Sequence, residues 1–211
     1  MTFDEFLQLT PKIAKVSLPA TESHIKMSPV ERRLQLLNHD YNLEVARDAA
    51  VMMLIYPDQN AAKIALIVRN SYKGVHSSQV AFPGGKVEKN ESTLTAALRE
   101  THEEIGVEPN DINIVRAFSN VFIPPSNFNV YPFLGFCSSQ PTFVPDPREV
   151  SAMALFSLED ILDDSSLTMQ RVEASYSTDI VVPAFKVDNT IIWGATAMML
   201  QELKDVLNSI V

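Results

Sequence analysis

Sulfur chemistry is nearly absent from this chain: one cysteine, Cys137, stands among 211 residues. A single thiol excludes an intramolecular disulfide and a cysteine-based zinc cluster, and it suits a reducing compartment. Cys137 lies inside the apolar run YPFLGFC, so a buried, inert thiol is expected rather than a nucleophile. Positive charge is also scarce. Lys and Arg number 17 against 26 Asp and Glu, giving a formal charge of −9 and a pI near 4.9. That balance argues against a nucleic-acid partner or an acidic membrane surface. An acidic protein that handles an anion needs local cations or a metal to overcome its own field. Long apolar runs are missing as well, since AAVMMLIY (Ala49–Tyr56) is too short to span a bilayer. The opening MTFDEFLQLT carries Asp4 and Glu5 and lacks the basic start and apolar core of a signal peptide. The closing NSIV does not match a peroxisomal address, and a cytoplasmic location is expected. No repeat, low-complexity segment, Ser-His-Asp arrangement or dinucleotide glycine fingerprint is visible, and Gly84–Gly85 is too short for a phosphate loop.

What is present reads as an ordinary globular chain, 46% apolar and 20% charged. FDEFLQLTPKIAKV and SPVERRLQLL read as short helices, the second with Ser28 as N-cap and Pro29 at its first position. Residues 1–45 therefore look like a helical extension packed on a main domain of residues 46–211. DAAVMMLIYP and AKIALIVRN read as strands joined by the turn DQNA, and VAFP as a short strand stopped by a Gly84–Gly85 turn. INIVRAFSNVFI, FNVYPFLGFCS and EVSAMALFS have strand length, separated by PPSN and QPTFVPDPR. LEDIL reads as a helical turn, DIVVPAFKVD and TIIW as a hairpin around Asp188–Asn189, and TAMMLQELKDVLNSI as a C-terminal helix. This order predicts an α/β (α+β) fold, a mixed sheet between helices.

One helix stands out, over Glu91–Ile105. Leu94, Ala97, Leu98, Thr101 and Ile105 fall on one stripe, and Glu100, Glu103 and Glu104 cluster on the next. Like charges at that spacing destabilise a helix by roughly 0.2–0.5 kcal/mol per pair. Gly106 supplies the left-handed stop, so the acids lie in the last turns, where the helix dipole disfavours them. A solvated acidic face is one reading, but it leaves the preceding Gly-Gly turn and the spacing to Glu91 and Arg99 unexplained. The other is a hard divalent cation, whose oxygen ligands would relieve the repulsion.

The run GKVEKNESTLTAALRETHEEIGV, Gly85–Val107, resembles the Nudix box. Gly85, Glu91, Arg99, Glu100, Glu103, Glu104, Gly106 and Val107 fall in register, and the departure is Thr101, where an aliphatic residue is usual. The resemblance implies a Nudix fold and metal-dependent hydrolysis of a diphosphate joined to another group, with Mg²⁺ or Mn²⁺ as cofactor. It implies Gly85 (through its carbonyl oxygen), Glu100, Glu103 and Glu104 as metal ligands. Glu100 is also a candidate base towards the attacking water, and Glu91 with Arg99 a structural ion pair. The family often uses a downstream glutamate as a further ligand or base, and Glu149 in DPREVS is placed for that role or for an ion pair with Arg148.

Upstream, LIVRNSYKGVHSSQVAFPGG resembles the signature of coenzyme A pyrophosphatases, a Nudix subgroup, and the likeness covers roughly residues 25–205. Ser78 stands where that pattern favours glycine, and Asn70 where it favours a basic residue. The implied substrate is coenzyme A or a derivative, cut to 3′,5′-ADP and a 4′-phosphopantetheine product. Arg69, Lys73, His76 and Lys86 are where cations could meet its phosphates, and Gln79 could add a neutral hydrogen bond; each is also an ordinary surface residue type. Pro124, Pro125, Ser126 and Phe128 either shape the pocket or merely turn the chain, and Trp193 is expected in the core. ADP-ribose or another nucleoside diphosphate derivative is the alternative substrate, and a ligand-sensing module without turnover the alternative class. The sequence leaves room for a homodimer without specifying one.

Overall fold

The computed structural model describes residues 1–38, 45–70, 79–174 and 177–211. In chain order its elements are α1 (Phe3–Ile13), α2 (Thr21–Lys26), α3 (Val30–Asn38), β1 (Arg47–Asp58), β2 (Ala61–Arg69), β3 (Val80–Ala81), β4 (Gly84–Lys86) and α4 (Thr93–Ile105). There follow β5 (Ile112–Ala117), β6 (Val121–Ile123), β7 (Phe128–Cys137), β8 (Val150–Ser157), α5 (Leu158–Leu162), β9 (Leu167–Ala174), β10 (Ser177–Val187), β11 (Thr190–Trp193) and α6 (Gly194–Ile210).

Strand β1 is the centre because its side chains serve two faces. Met53 and Ile55 enter one hydrophobic core while Ala50, Met52, Leu54 and Tyr56 enter the other, the period-two division of a strand covered on both sides. The chain returns antiparallel into β2 through Gln59 and Asn60, at φ 48° and 69°, the left-handed pair that a tight hairpin requires. β7 runs parallel to β1, whereas β4 pairs antiparallel with the first half of β1. β5 and β6 pair with β7, and β3 and β8 with β2, completing an eight-stranded mixed sheet among the described residues. Helix α4 covers one face with Ala96, Ala97 and Ile105. Helices α1 and α6 cover the other, with Phe3, Phe6, Leu200, Leu203 and Leu207 in a single cluster with the sheet. The mixed sheet between helices is thus observed. A separate antiparallel sheet, β11-β10-β9, flanks it.

A buried polar network ties the N-terminal helices to α6. Glu202 is fully buried and accepts the Ala20 N–H at 2.9 Å and the Ser119 N–H at 3.1 Å, with His24 Nε2 3.6 Å away. Beside it, Asp205 accepts from Ser23 Oγ at 2.5 Å and Lys26 Nζ at 2.8 Å. A buried carboxylate so satisfied fixes an orientation, because loss of any partner would strand a charge. It holds α2, and with it the start of α3, against the sheet.

Several local expectations change. Helix α3 begins at Val30, and Ser28 Oγ donates to the Ile25 carbonyl at 3.3 Å. Helix α2 fills a stretch read as a separator, β4 replaces a simple Gly-Gly turn, and INIVRAFSNVFI splits into β5 and β6. Strand β9 is polar at alternate positions and carried no strong apolar signal. Cys137 is buried at the end of β7, and burial followed by the nearby Asp111 pushes its thiol up to about 11.

Candidate metal centre and substrate cleft

Two glycines let a helix lie directly on a strand. At Gly84, φ is 152°, and a Cβ there would fall 2.3 Å from the Ala50 carbonyl oxygen and 2.6 Å from Val51 Cα. At Gly85 a Cβ would fall 2.5 Å from the carboxyl carbon of Glu100. Only residues without side chains allow α4 to set its carboxylates on the β4 backbone. The helix is capped by Ser92, whose Oγ accepts the Thr95 N–H at 3.1 Å, and stopped by Gly106 at φ 73°. Thr101, the departure from the box pattern, is fully buried and satisfies its hydroxyl by donating to the Ala97 carbonyl at 2.6 Å. It therefore fills an aliphatic position without an unpaired polar atom.

Arg99 is the hub of the cluster. Its Nε and Nη2 donate to the two carboxylate oxygens of Glu91 at 2.9 and 3.0 Å, the fork geometry of a bidentate pair. Nη2 also reaches the Lys86 carbonyl at 3.1 Å, tying the loop before α4 to the helix. Nη1 goes further than the expected ion pair, donating to Glu100 at 2.8 Å and Glu103 at 3.0 Å. The hydrogen bond from Arg99 holds Glu91 below the usual carboxylate range. Glu104 lies deeper, with a side chain 1% exposed; it accepts the Gly84 N–H at 2.8 Å and Arg69 Nη1 at 3.2 Å. Burial nevertheless pushes its carboxyl up to about 7, helped by the charges of Glu100 and Glu149 and opposed by Gly84 and Arg69. Burial raises Glu100 too, with Arg99 opposing and Glu103 and Glu149 adding to the rise.

Glu149 is brought to the same place by its loop. The Val144 N–H donates to the Ile105 carbonyl and the Asp146 N–H to the Glu104 carbonyl, each at 2.9 Å, so the loop closes on the last turn of α4. Arg148 pairs with Asp146 at 2.5 Å, so the alternative reading of Glu149, an ion pair with Arg148, is not what the structure shows for that arginine. Glu100, Glu103, Glu104 and Glu149 therefore share one locality, and at Glu100 and Glu104 burial and the neighbouring carboxylates outweigh the cations present. Their hard oxygens, with the Gly85 backbone between them, suit a divalent cation of the Mg²⁺ type. Among the described residues no three acidic or imidazole groups already converge on one point. Instead, Arg99 holds Glu100 and Glu103, while Arg69 and the Gly84 N–H hold Glu104.

A cleft of about 910 Å³ opens beside this cluster, within the roughly 300–1,000 Å³ of ligand pockets. Gly84, Gly85 and Lys86 of β4 line it, with Ala49 and Val51 of the paired β1. On one flank stand Val80 and Ala81 of β3, Ile180, and Trp193–Thr196; Thr196 Oγ1 donates to the Val80 carbonyl at 3.0 Å and fixes α6 there. On the other flank stand Ile123, Pro124, Pro125 and Phe128, roofed by Arg32 and Gln35 of α3. Of the residues expected to meet substrate, Arg69, Gln79 and Lys86 line this cleft, and Lys73 and His76 lie outside the described residues. Trp193 is corrected from core to cleft wall: it is half-buried and belongs to neither hydrophobic cluster. Arg32, Gln35 and Met199 were not singled out by sequence, since nothing local to their segments distinguishes a wall from an ordinary amphipathic helix.

The chain is also similar to known proteins. A family model for the NUDIX domain matches residues 46–176. An uncharacterized Nudix hydrolase NudL of Enterobacter sp. (strain 638) is 30% identical over 181 residues, 81% of this chain and 89% of that protein. The peroxisomal coenzyme A diphosphatase ndx-8 of Caenorhabditis elegans is 28% identical over 174 residues, 81% of this chain and 73% of that protein. Some other curated relatives are longer, and the chain spans 54% and 53% of two of them. Among solved structures, the Nudix hydrolase RenU from M. smegmatis superimposes with a TM-score of 0.54 at 19% identity, covering 79% of this chain and 88% of that one.

Proposed function

The chain belongs to the Nudix family and is a Nudix pyrophosphatase; from that premise we propose that it cuts coenzyme A or a coenzyme A derivative at its diphosphate. The products are 3′,5′-ADP and a 4′-phosphopantetheine species. The observation that carries this reading is the position of β4. The glycine strand lines the cleft together with β3 on one hand and Ile123–Phe128 on the other, while Glu100 and Glu104 lie against that strand's backbone just outside the lining, an arrangement that suits a bond joining two bulky halves. A compact phosphate ester would leave one flank empty. Coenzyme A has such a bipartite shape, and the coenzyme A diphosphatase among the relatives favours it over other diphosphates.

Family members require divalent cations, and here Glu100, Glu103, Glu104 and the Gly85 carbonyl are the proposed ligands for Mg²⁺ or Mn²⁺. Bound there, the cation would neutralise diphosphate charge and make a bound water more acidic. The chain does the rest. Arg99 balances Glu100 and Glu103 and ties Glu91 and the Lys86 carbonyl to the helix, so the loop before α4 would stay in place if those carboxylates held a metal. Arg69 and Lys86 face the cleft and attract the diphosphate. Glu149 or Glu100 accepts the proton of the attacking water, both carboxyls lying within the same negative field.

The test is product analysis. The protein with Mg²⁺ or Mn²⁺ is incubated with coenzyme A, an acyl-coenzyme A, ADP-ribose and NADH. Release of 3′,5′-ADP at the highest kcat/KM supports the reading. Preferred cleavage of ADP-ribose overturns the substrate, and metal-dependent binding without turnover of any of them would leave a sensing module.

A further inference from the structure

We propose that Trp193 is a specificity-determining residue whose indole stacks on the adenine of the substrate, so that the nucleotide half lies on the β3 flank of the cleft. The inference rests on the proposed reading that an adenine-bearing diphosphate is bound across β4. Trp193 is the single tryptophan of the chain and the last residue of β11, opposite Ala184. A half-buried tryptophan is normally drawn into a core by its large apolar surface. This one is in neither core and lies on the cleft wall. Gly194 follows at φ 66°, and a Cβ placed there would have no atom within 4 Å. The chain thus turns abruptly into α6 beside open space, which keeps the indole at the cleft and leaves room beside it.

The two flanks differ in chemistry. Arg69 and Gln79 share the β3 side with Trp193, a flat aromatic surface next to a guanidinium and an amide, which suits a planar base carrying phosphate. The opposite flank is Ile123, Pro124, Pro125 and Phe128, shaped by prolines and largely apolar, which suits a long uncharged arm. Arg32 on that side donates to the Phe122 carbonyl and approaches Met198 Sδ at 4.0 Å, knitting α3 to β6 and α6.

Because Trp193 is the single tryptophan, its fluorescence reports the contact directly. In the wild-type protein with Mg²⁺, 3′,5′-ADP should quench the emission saturably and 4′-phosphopantetheine should not. By calorimetry, Trp193→Ala should raise the Kd for 3′,5′-ADP about tenfold or more, with Trp193→Phe intermediate and the Kd for 4′-phosphopantetheine unchanged in both. The phenylalanine variant keeps an aromatic ring at the site and shows whether any loss follows stacking rather than unfolding. Quenching by 4′-phosphopantetheine instead, equal losses for both halves, or no affinity of the wild type for 3′,5′-ADP would each overturn the assignment. Failure of the wild type to cleave coenzyme A while the quench persists would remove the substrate reading and leave the stacking intact.

Discussion

Glu104→Gln separates the stability of the fold from its affinity for metal. Glu104 is buried beside Glu100 and Glu149, and its carboxyl is raised from an ordinary 4.5 to about 7. The folded protein therefore holds a proton that the unfolded chain has released between those two pH values. Stability must fall as pH rises through that window, because there the folded state binds more protons. Once pH exceeds 7, the difference is worth about 3 kcal/mol. Glutamine imitates the protonated side chain and keeps an oxygen for the Gly84 N–H. In EDTA the variant should match wild type near pH 4.5 and exceed it by about 3 kcal/mol at pH 8, a rise in melting temperature of about 6–12 °C for a chain of this size. With metal at a hundred times its Kd the wild type should recover about 2.7 kcal/mol, whereas the variant, lacking the charge, should recover little. Thermal melts at pH 5, 6, 7 and 8, with EDTA and with Mg²⁺, measure both effects. A pH-independent gap between the two proteins, or a variant less stable than wild type at pH 8 in EDTA, would refute the electrostatic account of the cluster.

Gly84→Ala should destabilise the fold by about 3 kcal/mol or more in urea titration, since the added Cβ meets backbone atoms 2.3 and 2.6 Å away; a change under about 0.5 kcal/mol would show that β4 and β1 can separate without loss. Glu149→Gln should lower kcat by about a hundredfold or more without shifting the melting temperature, the range of a lost general base; near-normal kcat would leave Glu100 as the proton acceptor.

The chemistry of the site was legible in the sequence because it resides in one continuous segment. Gly85, Glu91, Arg99 and the three glutamates are ordered by a strand, a loop and a helix whose spacing is set by helical periodicity, so their proximity needed no long-range knowledge. Glu149 was harder, since its approach depends on backbone hydrogen bonds between residues 144–146 and the end of α4. The walls were not legible. Trp193 reads as apolar at the end of an apolar strand, and only the turn at Gly194 and the packing of β11 beside β3 put it at the cleft. Arg32 and Gln35 reach the cleft because Glu202 and Asp205 grip the preceding helix from α6, a contact across more than 180 residues. In the sheet, β1 and β2 were plain from their strand-length apolar runs joined by a turn, whereas the pairing of β4 with β1 hid behind two glycines.

The walls have a consequence for descent. Trp193, Met199, Arg32 and Gln35 all lie outside residues 46–176, the part shared with the wider family. A lineage could exchange these flanking segments, changing which molecule is admitted, while inheriting the glutamate helix untouched. The grip of Glu202 and Asp205 on the segment before α3 links the two flanks to each other, so drift in α6 and drift in the N-terminal helices would have to proceed together.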